Sequence, residues 1–250
     1  MNPSQDAVLA EYLIGLGDDE LILAHRDSEW AGHAPILEED IAFANIALDE
    51  MGHAAAWYRL AGELLDQPVE TFPDELIFAR TPDEFRNIQM VELPNGDWAF
   101  SLMRQYLFDS LESIRLNVLA ESMWEPLADT AAKIRPEELY HLRHTRSWVR
   151  RLGLGTEESN KRMQNALVEL YPFALQSFTM SAEEDQGIPE SDMLHSAWDA
   201  EIRPVLSESK LELPEGDKSP VQSREVHTSY LFELVEEMQV VARADVEAQW

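Results

Sequence analysis

The sequence contains no cysteine, which removes disulfides, thiolate zinc sites, iron–sulfur ligation and cysteine nucleophiles together. Any metal must then be held by histidine and carboxylate, a donor set that suits iron or manganese better than soft metals. Basic residues are scarce: 19 Lys and Arg stand against 48 Asp and Glu, for a net charge of −29. Affinity for phosphate rests on cations, so nucleic acid and anionic membrane are poor partners for such a surface. The acid excess reads mainly as solvated helix faces, with a salt-rich cytosol as the alternative. No uninterrupted apolar run approaches twenty residues, so no transmembrane helix is expected. The amino terminus, MNPSQDAVLAEYL, lacks the basic and apolar regions of a signal peptide, and the cytoplasm is the expected compartment. Gly-x-Ser-x-Gly and phosphate-binding loops are missing too, so no nucleotide cofactor is expected on this chain.

What remains is a globular composition, 45% apolar and 27% charged over 250 residues, enough to bury a sizeable core. The strand signal is weak and the helical signal strong. Leu9, Leu13, Leu16, Leu21 and Leu23 recur at roughly helical spacing, and Pro35 opens a second helix through Ile41, Leu48, Met51 and Ala55. Residues 67–96 hold four prolines and the turn Pro94-Asn95-Gly96, which reads as a long connection with one short helix near Asp83–Ile88. The pattern predicts an all-α fold in one domain, 1–250. Its core is a four-helix bundle with one long crossover, with helices over about 7–31, 36–66, 97–124 and 127–152. Further helices follow over 156–180, 189–202 and 226–247, with a mobile loop at 206–224. Helix should exceed about 60% of residues. A generic helical array is the alternative.

Bundles of this connectivity build dinuclear metal sites from one carboxylate on each of two helices and a Glu-x-x-His on each of the others. Residues three apart share a helix face, so such a Glu and His address one point. Two copies occur, Glu50-Met51-Gly52-His53 and Glu138-Leu139-Tyr140-His141. Chance alone supplies about one, so position must carry the weight. Both fall mid-helix, in the second and fourth helices. Glu20 and Asp109 sit on the preceding helices at depths that agree within about one turn at ~1.5 Å per residue. Four carboxylates balance two ferrous ions, with His53 and His141 as neutral imidazoles. The alternative is that all six are solvated or salt-bridged helix residues. His144, one turn beyond His141, reads as an ordinary surface histidine. His25, His33, His195 and His227 lack metal-ligand spacing with a convincing partner. The seven tryptophans read as packing or interface residues.

Several segments carry a family resemblance: Glu29-Trp30-Ala31-Gly32-His33-Ala34-Pro35, Leu48-Asp49-Glu50-Met51-Gly52-His53-Ala54 and Val91-Glu92-Leu93-Pro94-Asn95-Gly96. Arg104-Gln105-Tyr106, Tyr140-His141-Leu142-Arg143, Ala197-Trp198-Asp199-Ala200-Glu201 and the terminal Gln249-Trp250 belong with them. Together they resemble the family of C-type subunits of bacterial phenylacetyl-CoA epoxidase. The resemblance spans nearly the whole chain and implies a ferritin-like fold. It also implies a place in a multisubunit monooxygenase of aerobic phenylacetate breakdown, which forms a ring 1,2-epoxide from phenylacetyl-CoA with O₂ and electrons from a separate reductase. In that enzyme family the homologous A-type subunit is the catalytic one and carries the di-iron centre, while the C-type subunit is its structural partner. The ligand pattern of the A type maps here onto Glu20, Glu50, His53, Asp109, Glu138 and His141, so this chain retains a full set where a scaffold needs none. Its length argues for the C type over the longer A type.

The resemblance therefore implies the catalytic A-type subunit, other epoxidase subunits and a reductase as partners, with a homodimer also open. The cofactor expected is a pair of iron ions, the alternatives being a scaffold that binds none and a stand-alone ferritin-like iron protein. Storage is disfavoured by the hundred residues after the bundle. Rubrerythrin-type scavenging needs a cysteine-ligated iron and is excluded.

Overall fold

The computed structural model describes residues 3–179, 188–216, 218–221 and 223–244. Ten α-helices follow in order: α1 Pro3–Ser28, α2 Leu37–Leu64, α3 Phe72–Phe78, α4 Gln89–Glu92, α5 Trp98–Leu119, α6 Glu125–Gly153, α7 Glu157–Ala174, α8 Ser191–Glu208, α9 Ser229–Met238 and α10 Val240–Ala244. Short 3₁₀ turns occupy Pro82–Glu84 and Leu175–Phe178. Helix, with the two 3₁₀ turns, takes about 75% of the described residues, and no strand occurs among them. The four long helices form the bundle as two antiparallel hairpins, α1–α2 and α5–α6, with residues 65–97 crossing between them.

The hairpins form because each helix carries an apolar face at helical spacing. On α1, Leu9, Leu13 and Leu16 are buried, and the same face continues through Glu20. Gly17 permits a close crossing with α2: a Cβ there would lie 2.5 Å from the Tyr58 ring. Helix α5 is capped by Asp97, whose Oδ1 accepts from the Phe100 amide at 3.0 Å, and nearly all its residues are buried. Its outer side is covered by α7 and α8, where the fully buried Trp198 donates Nε1–H to Ser110 Oγ at 2.9 Å. Helices α1, α2, α5 and α6 therefore enclose a shared interior, and α7–α8 seal the α5 side.

Several boundaries differ from the sequence expectation. The helix expected over 97–124 ends at Leu119, and α6 begins at Glu125 with Pro126 in its first turn. Proline lacks the amide that a first turn leaves unbonded anyway, so it starts this helix rather than breaking one. Helix α8 runs past Ile202 and through Pro204 to Glu208. Buried Ile202, Val205 and Leu206 continue its apolar face and outweigh the lost bond. That shortens the loop expected at 206–224. In the crossover the helical turn sits at Pro82–Glu84, with α3 and α4 on either side. The last helix is broken after Met238, and its expected end at 247, like Gln249-Trp250, lies outside the described residues. No helix among the described residues is long and apolar enough to cross a membrane. Trp57 and Trp198 are core residues, and Trp30, Trp98 and Trp148 pack with Phe43 in a second small cluster.

Candidate metal centre

The six residues singled out by spacing meet between the two hairpins. Glu20, Glu50, His53 and Glu138 each offer a ligand atom within 4.8 Å of the others, and so do Glu50, Asp109 and His141. Glu138 Oε1 lies 3.3 Å from both His53 Nδ1 and His141 Nδ1. Glu50 reaches both rings as well, at 3.9 Å to His53 Nδ1 and 3.5 Å to His141 Nδ1. Glu20 Oε2 is 3.7 Å from His53 Nδ1, while Asp109 sits on the His141 side. The ring centroids are 6.1 Å apart. Glu50 and Glu138 are thus the central carboxylates of a near-twofold cluster, with Glu20 and Asp109 at its flanks.

Each histidine is turned by a carboxylate from the opposite hairpin. His53 Nε2 lies 2.8 Å from Glu137 Oε2, and His141 Nε2 lies 3.1 Å from Asp49 Oδ2. With each Nε2 bonded outward, each Nδ1 faces the cluster, the arrangement that fixes the tautomer of a metal-ligating histidine. Asp49 and Glu137 were not among the residues picked out by sequence. Their signal was present: each immediately precedes the glutamate of a Glu-x-x-His. Gln105 and Thr145 were missed as well. Gln105 Nε2 donates to Glu50 Oε1 and Asp109 Oδ1, both at 2.8 Å, and Thr145 Oγ1 donates to Asp109 Oδ2 at 2.8 Å. They fix the Asp109 end of the cluster.

All six central residues are at most 2% exposed. Yet Glu20 Oε2, Glu50 Oε2, both Glu138 oxygens and both inward Nδ1 atoms have no hydrogen-bond partner among the described residues. Buried polar atoms are normally satisfied, so an inward-facing set left open needs an occupant or a shared proton. Protons are what the metal-free cluster holds. Burial and the neighbouring Glu50 push Glu20 well above the usual carboxylate range. Burial and Glu138 do the same to Asp109. Burial also works against ionised Glu50, but the Glu20 carboxyl, His141 and His53 outweigh it and hold Glu50 low. Burial would lower both histidines, yet the carboxylates around them raise each far above its ordinary value. Divalent cations would replace those protons. Four carboxylates and two imidazole nitrogens fit two ions of the iron or manganese type in number, charge and donor chemistry.

The other histidines lie apart from the centre. His144 Nε2 contacts Glu39 Oε2 at 2.9 Å, His227 is held by Glu92 and the Phe85 carbonyl, and His195 stacks on Phe178.

The sequence profile of a family described as "Phenylacetic acid catabolic protein" matches residues 1–250. The chain belongs to that family. It is similar to the C subunit of the 1,2-phenylacetyl-CoA epoxidase of Escherichia coli (strain K12), at 37% identity over 248 residues, which cover 97% of this chain and 99% of the relative. This member of the phenylacetic acid catabolic family therefore matches an epoxidase C subunit over essentially its full length, as its sequence motifs imply.

Proposed function

We propose that this protein is the C-type component of a cytoplasmic phenylacetyl-CoA epoxidase and that it holds a pair of iron ions of its own. The first half rests on its family and on similarity over nearly the whole of an epoxidase C subunit. The second half rests on one observation, the set of buried inward-facing ligand atoms without a hydrogen-bond partner among the described residues. Glu20, Glu50, His53, Asp109, Glu138 and His141 are the residues that would hold the ions, Glu20 with His53 standing at one end of the cluster and Asp109 with His141 at the other. When bound, iron supplies one-electron chemistry with O₂. The chain's own residues exclude water, orient the imidazoles through Asp49 and Glu137, and supply the charge that balances the cations. Electrons come from a separate reductase, since this chain has no cysteine ligands and no nucleotide loop. Metal analysis of protein purified after growth with iron tests this directly. About two irons per chain with an antiferromagnetically coupled Mössbauer signal is the expected result, and a metal-free protein that takes up no Fe²⁺ overturns it.

The partner surface follows from what is left uncovered. Leu37, Ile41, Leu48 and Met51 form an exposed apolar stripe along α2, and Leu139 and Tyr140 are exposed on α6 beside it. The Asp49–His141 and Glu39–His144 contacts hold the two helices side by side. An apolar, aromatic-containing face of this kind suits a stable protein–protein interface of well over about 1,000 Å². The homologous catalytic A-type subunit is the occupant we assign to it. Co-expression should give a complex that survives gel filtration at micromolar concentration, and Leu48→Glu should separate the two proteins.

A further inference from the structure

The proposed ligand cluster is buried, and one of its residues borders a cavity. A cavity of about 470 Å³ opens between α2 and α6. His53 is the one proposed ligand in its wall, and Glu137, the hydrogen-bond partner of His53, stands at its edge with a half-exposed side chain. Asp49 and Glu63 also line it, against the cations Arg59 and Lys133. On the opposite side α5 is covered by α7 and α8, and nearly all its residues are buried.

Gly52 occupies the wall of this cavity, one residue before His53. It sits in the middle of the 28-residue helix α2, where glycine is the poorest choice but proline, because it frees the backbone in the unfolded chain. Close packing does not explain it: a Cβ built at Gly52 meets nothing within 4 Å. Gly17, by contrast, is needed for a close helix crossing. Gly52 is exposed, and the cavity it lines together with His53 is left free of a side chain at this position.

We infer that the α2–α6 cavity is the entry port for the divalent cations of the centre, kept open by the missing side chain of Gly52 and lined by the carboxylates of Asp49, Glu63 and Glu137. The inference rests on the metal centre proposed above. An incoming hydrated cation finds three carboxylates in a wall that also carries Arg59 and Lys133, exchanges water for carboxylate oxygens, and reaches the cluster past His53 and Glu137. The two carboxylates that orient the histidines are then also the last surface groups on the route.

A graded plug tests this. Metal-free full-length protein carrying Gly52, Gly52→Ala or Gly52→Leu is mixed anaerobically with Co²⁺, and loading is followed by the ligand-field absorbance of the bound ion. Bound metal is then counted after prolonged incubation. Circular dichroism checks that each variant is folded, and both substitutions suit a helix interior better than glycine. The port predicts the same final stoichiometry in all three, nearly unchanged kinetics for Gly52→Ala, and loading slowed roughly tenfold for Gly52→Leu, as for a gated step. Equal rates for all three with full final occupancy overturn the port and leave the metal centre standing. No Co²⁺ or Fe²⁺ bound by the unsubstituted protein overturns the centre itself, and the port with it.

Discussion

Three consecutive acids on α1, Asp18, Asp19 and Glu20, are equally buried, yet their surroundings differ completely. Asp18 accepts from the Tyr58 hydroxyl at 2.6 Å, from Arg80 at 2.5 and 3.0 Å and from the Arg86 amide at 2.7 Å. Asp19 accepts from the Ile88 amide at 2.7 Å and from Arg224 at 2.8 Å. Both fasten other parts of the chain to α1: the crossover in each case, and for Asp19 also the segment before α9. Glu20 has no arginine within ion-pair distance; it faces Glu50, Glu138 and His53. Burial alone therefore does not mark a site. The distinguishing feature is whether a buried charge is completed by the chain itself. Asp18 and Asp19 are complete. Glu20 is not.

Stability should separate the two kinds of acid most sharply. Asp18→Ala leaves Arg80 as a largely buried cation without its anion, which typically costs about 3–5 kcal/mol. Denaturant unfolding of metal-free protein should show a loss of that order. Glu20→Ala in the same assay should change stability by less than about 1 kcal/mol in either direction, because it also removes a carboxyl from an acid-rich interior. A Glu20 variant as unstable as the Asp18 variant would erase the distinction.

Metal binding should reverse the ranking. Loss of Glu20 removes a direct ligand and should weaken Fe²⁺ or Co²⁺ binding more than about 100-fold, while a folded Asp19→Asn protein keeps its affinity. Asp49→Asn and Glu137→Gln come next. They leave the ligand atoms in place but weaken the bonds that orient the imidazoles, and losses of about 10–100-fold are usual for such partners. Competition with a chromophoric chelator measures all four. Equal affinities for the Glu137→Gln and unsubstituted proteins would show that the Nε2 contact does not orient His53.

This ranking also shows what the sequence could reveal. The bundle was legible because α1, α2, α5 and α6 each repeat apolar residues at helical spacing, a local property. The six central residues were legible because Glu-x-x-His is local too, and because Glu20 and Asp109 fall at matching depths. The completion of Asp18 and Asp19 was not legible. Their arginines lie 62 and 205 residues away, and nothing nearby in sequence distinguishes them from Glu20. Asp49 and Glu137 were hidden differently, among so many acids that a carboxylate before each Glu-x-x-His looked like solvated surface. The end of α5 at Leu119 was misread because Pro126 carries the same letter whether it stops one helix or starts the next.

The smallest expected effect is a pH dependence. His53 and His141 are raised far above their ordinary value of 6.5. Their contribution to stability is full below about that pH and is lost as pH rises toward their folded values. Glu20 and Asp109, raised by burial and by neighbouring carboxylates, act in the same direction from about pH 4 upward. Burial also pushes Asp27 up to about 8 and Glu112 to about 7, so their contributions fade between about pH 4 and pH 8. Glu50 is lowered, and its stabilisation is lost only as pH falls through its folded value in strong acid. The signs agree between pH 5.5 and 8: metal-free protein should melt at a lower temperature at the higher pH, by a few degrees, since about 1 kcal/mol shifts a domain of this size by ~2–4 °C. Bound metal holds the same ligands deprotonated, and its affinity grows as pH rises. The gap in melting temperature between metal-loaded and metal-free protein should therefore widen toward pH 8. Asp27→Asn should flatten part of the metal-free slope without touching the metal-dependent gap. Glu20→Ala should reduce both. Identical pH slopes with and without metal would mean that the protons on Glu20, Asp109, His53 and His141 are not what a metal displaces.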